Sequence, residues 1–278
     1  MRHNSRCSAG PFLVVALAWT AGCVAPPRTV NTLSCADEIH ANASAAVTKL
    51  TATAVAEPSN KNAQLCLSYA FIAQRNYAAA AEAATRALAI DKSDALAMRM
   101  RAFARYRLGA YPQAIEDANA SLKCEATGEA YEILGKCRLR SGDAAGAAED
   151  FRIWANLDKS IEARCWMGSA LWTAGDTAGA LKTWEAAELA APNDPEPFIW
   201  KCGFLFRAGD QSGALGAAKR AVELAPDSPQ ALGALARVQS WSGDAAGASA
   251  TVAQLARTNA PAAAKLAQKL KTSAPSVK

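Results

Sequence analysis

Histidine is almost missing from this 278-residue chain: His3 and His40 are the only two. That excludes a histidine-based nucleophile relay and a His–Cys zinc cluster, and the eight cysteines include no CxxC pair. No glycine-rich phosphate loop occurs either; GDAAGA at 142–147 looks like one but recurs at 243–248 as part of a repeat. A strong excess of either charge is also missing. A formal net charge of +5 is too small a basic excess for a nucleic-acid footprint, so no nucleic-acid partner is expected. After Cys23 no apolar run approaches the roughly 20 residues of a membrane-spanning helix. Long runs of Val, Ile and Thr, which pack best on sheets, are absent as well. What fills the chain is alanine with Leu, Glu, Lys and Arg, the composition of a wholly helical protein. No cofactor, metal or catalytic residue is expected. Acidic neighbours such as Glu149-Asp150 read as a solvated helix face, and His40 reads as a surface residue.

The N-terminus is built differently. Arg2, His3 and Arg6 precede the apolar stretch PFLVVALAWTA (11–21), too short to span a bilayer but suited to a secretory signal peptide. Thr20-Ala21-Gly22-Cys23 resembles the bacterial lipobox, in which small residues precede a cysteine that is diacylated and becomes the new N-terminus. Thr20 stands where the usual leucine would be. The resemblance implies a signal peptide over 1–22, a lipid anchor on Cys23 and a membrane-tethered protein facing the periplasm. Pro26-Pro27-Arg28 opens a flexible tether over 23–35. Val24 is not the aspartate that holds many such lipoproteins in the inner membrane, which favours the outer membrane. A cut after Ala25, releasing a soluble periplasmic or secreted protein, is the other reading.

The remainder is repetitive. Gly109, Gly142, Gly175, Gly209 and Gly243 follow one another at a near-constant interval of about 34 residues, the period of a helical-hairpin repeat. An earlier copy at 76–91 has Arg75 in the glycine's place. Glycine ends a helix there because it enters the left-handed conformation without a Cβ penalty. Asp143, Asp176, Asp210 and Asp244 come next, placed to cap a second helix. Ala80, Ala114, Ala147, Ala180, Ala214 and Ala248 share one place in the second helices, where a small residue lets two helices approach closely. Six helix pairs over 61–260 follow from this register.

Leu67 and Phe71, Leu134-Gly135, Met167-Gly168 with Leu171, and the turn aromatics Tyr77 and Tyr111 make these units similar to the tetratricopeptide repeat family. The family's tryptophan near the start of a unit is Gln64, Met98, Tyr131, Arg164, Phe198 or Leu232 here. The resemblance implies an all-α, right-handed α-solenoid of six helix-turn-helix repeats with an extra helix at each end. One helix from Ala36 to Ala56, within an N-terminal segment 36–60, would cover the first unit. A capping helix with Leu266 and Leu270, within 261–278, would cover the last.

It also implies a non-catalytic scaffold or adaptor that binds protein or peptide partners on its first helices, anchored at the cell envelope. A carrier of a small ligand or cell-wall fragment is the alternative. The candidate partner-binding residues are Tyr69, then Arg99, Phe103, Tyr106 and Arg107, then Lys136 and Arg140, then Trp172, Phe206, Arg207, Arg237 and Trp241. Arg99 to Arg107 forms one helical stripe, expected to be exposed and to take an extended, partly acidic peptide. Packing between helices is the competing role for the same residues. Six cysteines remain beyond Cys7 and Cys23. Cys35–Cys66, Cys124–Cys137 and Cys165–Cys202 are the natural neighbour pairs, with small buried thiols as the alternative.

Overall fold

The computed structural model of the protein describes residues 35–273; Cys23, the signal segment and the tether before Cys35 lie outside them. All regular structure among the described residues is helical. The chain opens with α1 (Ala36–Ala41) and α2 (Ala43–Ala56). Three pairs follow: α3 (Lys61–Ala73) with α4 (Tyr77–Ile90), α5 (Ala95–Arg107) with α6 (Tyr111–Cys124), and α7 (Gly128–Arg140) with α8 (Ala144–Asp158). Three more are α9 (Ile161–Thr173) with α10 (Thr177–Ala190), α11 (Glu196–Ala208) with α12 (Gln211–Leu224), and α13 (Pro229–Trp241) with α14 (Ala245–Thr258). α15 (Ala260–Ser273) closes the series. Within each of the two compact units into which the chain divides after Ser160, helices pack on their neighbours in sequence.

The repeat chemistry explains the turns. Gly109, Gly142, Gly175, Gly209 and Gly243 all adopt positive φ, from 79° to 92°, and Arg75 takes the same left-handed place at φ 59°. After four of these glycines an aspartate caps the next helix: Asp143, Asp176, Asp210 and Asp244 accept the backbone N–H of Gly146, Gly179, Gly213 and Gly247 at 2.8–2.9 Å. Ala80, Ala114, Ala147, Ala180 and Ala214 are fully buried, and Ala248 nearly so. Opposite them, the first helices offer small residues or backbone. In α3 the Ser68 hydroxyl donates to the Ala80 carbonyl at 2.9 Å. A Cβ on Gly135 would come 2.7 Å from the Phe151 ring, and one on Gly168 only 2.5 Å from Trp184 Nε1. Close approach therefore needs glycine where a large aromatic sits on the partner helix.

The N-terminal segment departs from the single helix expected over 36–56. Asn42 is extended (φ −159°, ψ 92°), and its side chain accepts the N–H of Ser44 and Ala45, both at 3.1 Å. An asparagine competes with the helix by capping the residues after it, so one helix becomes two. α2 starts and ends one repeat length before α4, Asn42 matches the cap Asn76, and the fully buried Ala46 matches Ala80. α1 and α2 are thus a shortened seventh repeat whose turn has no glycine. Cys35, at the start of α1, is bonded to Cys66 of α3.

The other two cysteine pairs do not form. Cys165 sits with Ala180, Trp184 and Phe204, whereas Cys202 belongs to a separate cluster with Leu205, Ala214 and Val238. Cys137 is buried in the first unit and Cys124 is a half-buried thiol at the end of α6. Burial pushes the Cys137 thiol up to about 12 and Cys202 to about 11, and it raises Cys165 as well, with nearby carboxylates adding to it. They act as small core residues. At the C-terminal end Ala263 and Leu266 of α15 are buried against Leu232, Ala236 and Leu255, as a capping helix requires. No helix among the described residues is long and apolar enough to cross a membrane.

Candidate partner-binding face

Because the repeats keep their register, each candidate residue has equivalents on the other first helices. Tyr69, Phe103, Lys136, Ser169, Gly203 and Arg237 occupy one such place, one per repeat. In the first unit this place is closed. Tyr69, Arg99, Phe103 and Lys136, expected on a free surface, are only 2–3 % exposed. Each is held by neighbours instead. The Tyr69 hydroxyl is hydrogen-bonded to His40 Nε2 at 2.7 Å, and burial raises its pKa above the ordinary tyrosine value. Phe103 meets Tyr77 edge-on, with centroids 6.3 Å apart. Arg99 Nη1 donates to Glu125 at 2.8 Å and its Nε lies 3.6 Å from Glu129. Lys136 pairs with Glu132 and lies over the Trp154 ring at 5.7 Å. A buried cation needs such partners, and these four residues serve packing.

The outer half of the same stripe remains reachable. Arg107 is half-buried, its guanidinium 4.5 Å from the Tyr77 centroid and 5.8 Å from that of Phe103. Tyr106 lies half-buried beside Tyr111, and Arg140 is exposed.

Three polar pairs link the two helices of a repeat at equivalent places, and inspection of the sequence for surface chemistry misses them. Arg105 donates to Asp117 at 2.7 Å, joined by Arg101, and Arg138 grips both oxygens of Asp150 at 2.7 and 2.8 Å. The Thr251 hydroxyl donates to Gln239 at 2.7 Å in the equivalent place. Asp150 is therefore no solvated surface group: burial pushes its carboxyl up to about 6 against the pull of Arg138. Only Glu149 behaves as expected, exposed and paired with Arg152. The recurrence of these pairs between the two helices of a repeat gives them a structural role.

The second unit is where candidate residues converge on open surface. Phe206 of α11 and Trp241 of α13 meet edge-to-face, centroids 4.6 Å apart at 63°, both half-buried. Arg207 and Arg237 are exposed on the same two helices. Each arginine lies back along its own helix: Arg207 Nε donates to the Gly203 carbonyl at 3.2 Å, and Arg237 Nε to the Gly233 carbonyl at 3.0 Å. A Cβ on either glycine would meet nothing within 4 Å. The Arg207 guanidinium also covers Phe204 at 4.3 Å. Among the described residues no carboxylate forms an ion pair with either arginine. Trp172 is set apart, wedged against Phe204 and Trp184 with centroids 5.4 and 6.3 Å away, as part of the core edge. Gly203 and Gly233 are not legible as site residues in the sequence; their only signal is the pairing of each with an arginine four positions later. No group of three metal-ligating side chains occurs among the described residues.

No known family profile matches the chain. Its fold does match solved structures. A tetratricopeptide repeat protein from Parabacteroides merdae ATCC 43184 superposes with a TM-score of 0.68 at 16% identity, over 87% of this chain and 97% of that one. PilW, a widely conserved type IV pilus biogenesis factor, gives 0.60 at 20% identity, over 76% of this chain and 98% of its own. YrrB, a TPR protein with an unusual peptide-binding site, gives 0.51 at 18% identity, over 66% and 95%. The superpositions establish the fold alone at identities this low, and the fold is that of the tetratricopeptide-repeat proteins.

Proposed function

We propose that this protein is a non-catalytic scaffold of the bacterial cell envelope that holds protein partners on the first helices of its repeats. The observation that carries the reading is the surface of α11 and α13, where a half-buried aromatic pair is accompanied by two exposed arginines. Aromatic and arginine side chains are the residue types that dominate protein interfaces. The peptide-binding site of YrrB and the pilus role of PilW, proteins of the same fold, support a partner-holding function.

Anchoring rests on the N-terminus. A diacylated Cys23 gives stable attachment where a single acyl chain does not. The Cys35–Cys66 bridge, a short way beyond Cys23, supports an oxidising compartment such as the periplasm. Val24 after the anchor favours the outer membrane. Two experiments test this. Labelled fatty acid should enter the wild type and not Cys23→Ala; equal labelling, or none in either, removes the lipid anchor. Pulldown from solubilised envelopes should enrich defined proteins with the wild type and lose them with Phe206→Ala/Trp241→Ala. Retention of all of them by the variant removes the scaffold's proposed face.

A further inference from the structure

The face on α11 and α13 has more structure than a generic contact surface, and this inference rests on the scaffold reading above. We infer that it is a binding site for an extended, acidic peptide segment carrying an apolar side chain between two carboxylates.

Three observations lead there. The two arginines are exposed and have no carboxylate partner among the described residues, so their charge is complementary to an anion brought from outside. They are also positioned. Each gives its Nε–H to the carbonyl of a glycine four positions earlier, which orients the guanidinium and leaves its terminal N–H groups unused by that contact. Side-chain entropy already lost in the free protein is not lost again on binding. Finally, the helix surfaces beside the arginines are bare at Gly203 and Gly233, where added Cβ atoms would touch nothing. A peptide main chain can approach the helix there more closely than over any other residue type.

With these features goes the Phe206–Trp241 pair, which offers aromatic surface for one apolar side chain. A guanidinium on each of two neighbouring helices matches carboxylates separated along an extended segment, and the aromatic edge matches the apolar residue that separates those carboxylates. A lipid headgroup would satisfy the arginines but would leave the aromatic pair and the glycine surfaces without a role. The first unit lacks this arrangement, since Phe103 and Lys136 fill the places held here by Gly203 and Arg237.

The probe is an array of short synthetic peptides, each with one central Phe or Leu flanked by two, one or no Asp, and a matched set with Lys for Asp. It is read with the full chain. Peptides with two Asp should bind, those with Lys should not, and each of Arg207→Ala and Arg237→Ala should weaken binding by about tenfold or more. Both residues are exposed, so circular dichroism of the variants should match the wild type. Binding that ignores Asp, that is unchanged in the double variant, or that is seen only with phosphatidylglycerol vesicles overturns the inference. If envelope proteins are captured in the pulldown while no Asp peptide binds, the scaffold reading stands and the acidic-peptide site falls.

Discussion

Replacing Cys35 and Cys66 together by alanine should weaken the N-terminal end of the protein and little else. The bridge joins residues 31 apart in sequence. In the chain-entropy treatment a loop of that length restricts the unfolded chain by about 3.7 kcal/mol at 25 °C. What remains without it is slight. α1 has six residues, of which Ala36 and Ile39 are buried, and a helix that short does not persist alone in water. α2 keeps Ala46, Leu50 and Ala54 buried. Because each repeat touches only its neighbours, the loss stays local. Hydrogen–deuterium exchange of wild type and Cys35→Ala/Cys66→Ala is the direct assay. Amides of α1 and α2 should exchange faster by up to about 500-fold, with α5 and α6 unchanged. Unaltered protection over 36–56, or equal loss through α8, would show that the bridge does not act locally on this end.

Other perturbations have equally definite outcomes. Arg75→Gly should raise the melting temperature, since relieving a left-handed non-glycine residue at φ 59° is worth about 1 kcal/mol; an unchanged or lower value contradicts it. Gly168→Ala should lower stability by roughly 1–3 kcal/mol in urea unfolding, because its Cβ would sit 2.5 Å from Trp184 Nε1; wild-type stability would show that the helix contact has room to spare. Asp91 is held down to about 2 by its hydrogen bond from Lys61, with Ser93 adding to it. A lowered carboxylate stabilises above its unfolded value of 3.8 and stops doing so as pH falls through about 2. Asp91→Asn should therefore melt below the wild type at neutral pH and converge with it near pH 2; a constant gap across that range speaks against the pairing.

The repeat register is legible because glycine and alanine are required by backbone conformation and by helix approach, and such requirements return once in every repeat. The shortened repeat at 36–56 escapes because Ala41 stands in the glycine's place, directly before the cap Asn42, although Ala46 stands one repeat length before Ala80. Site residues are harder to place. Arginine, lysine and aromatics suit a groove and a helix contact equally well, and only neighbours decide between them. Arg99 finds Glu125 and is buried, while Arg237 finds a glycine carbonyl and stays exposed. The cysteines divide for the same reason: Cys35 faces Cys66, whereas Cys165 and Cys202 lie in different clusters.

In the proposed function, partners are held on the first helices of the second unit. Photo-crosslinking in living cells tests it most directly, with a benzophenone side chain placed at position 206 on α11 or, for comparison, at position 219, exposed on α12. Position 206 should give discrete adducts with one or a few envelope proteins, and position 219 none of these. No adduct from position 206, or the same adducts from both, would contradict that placement.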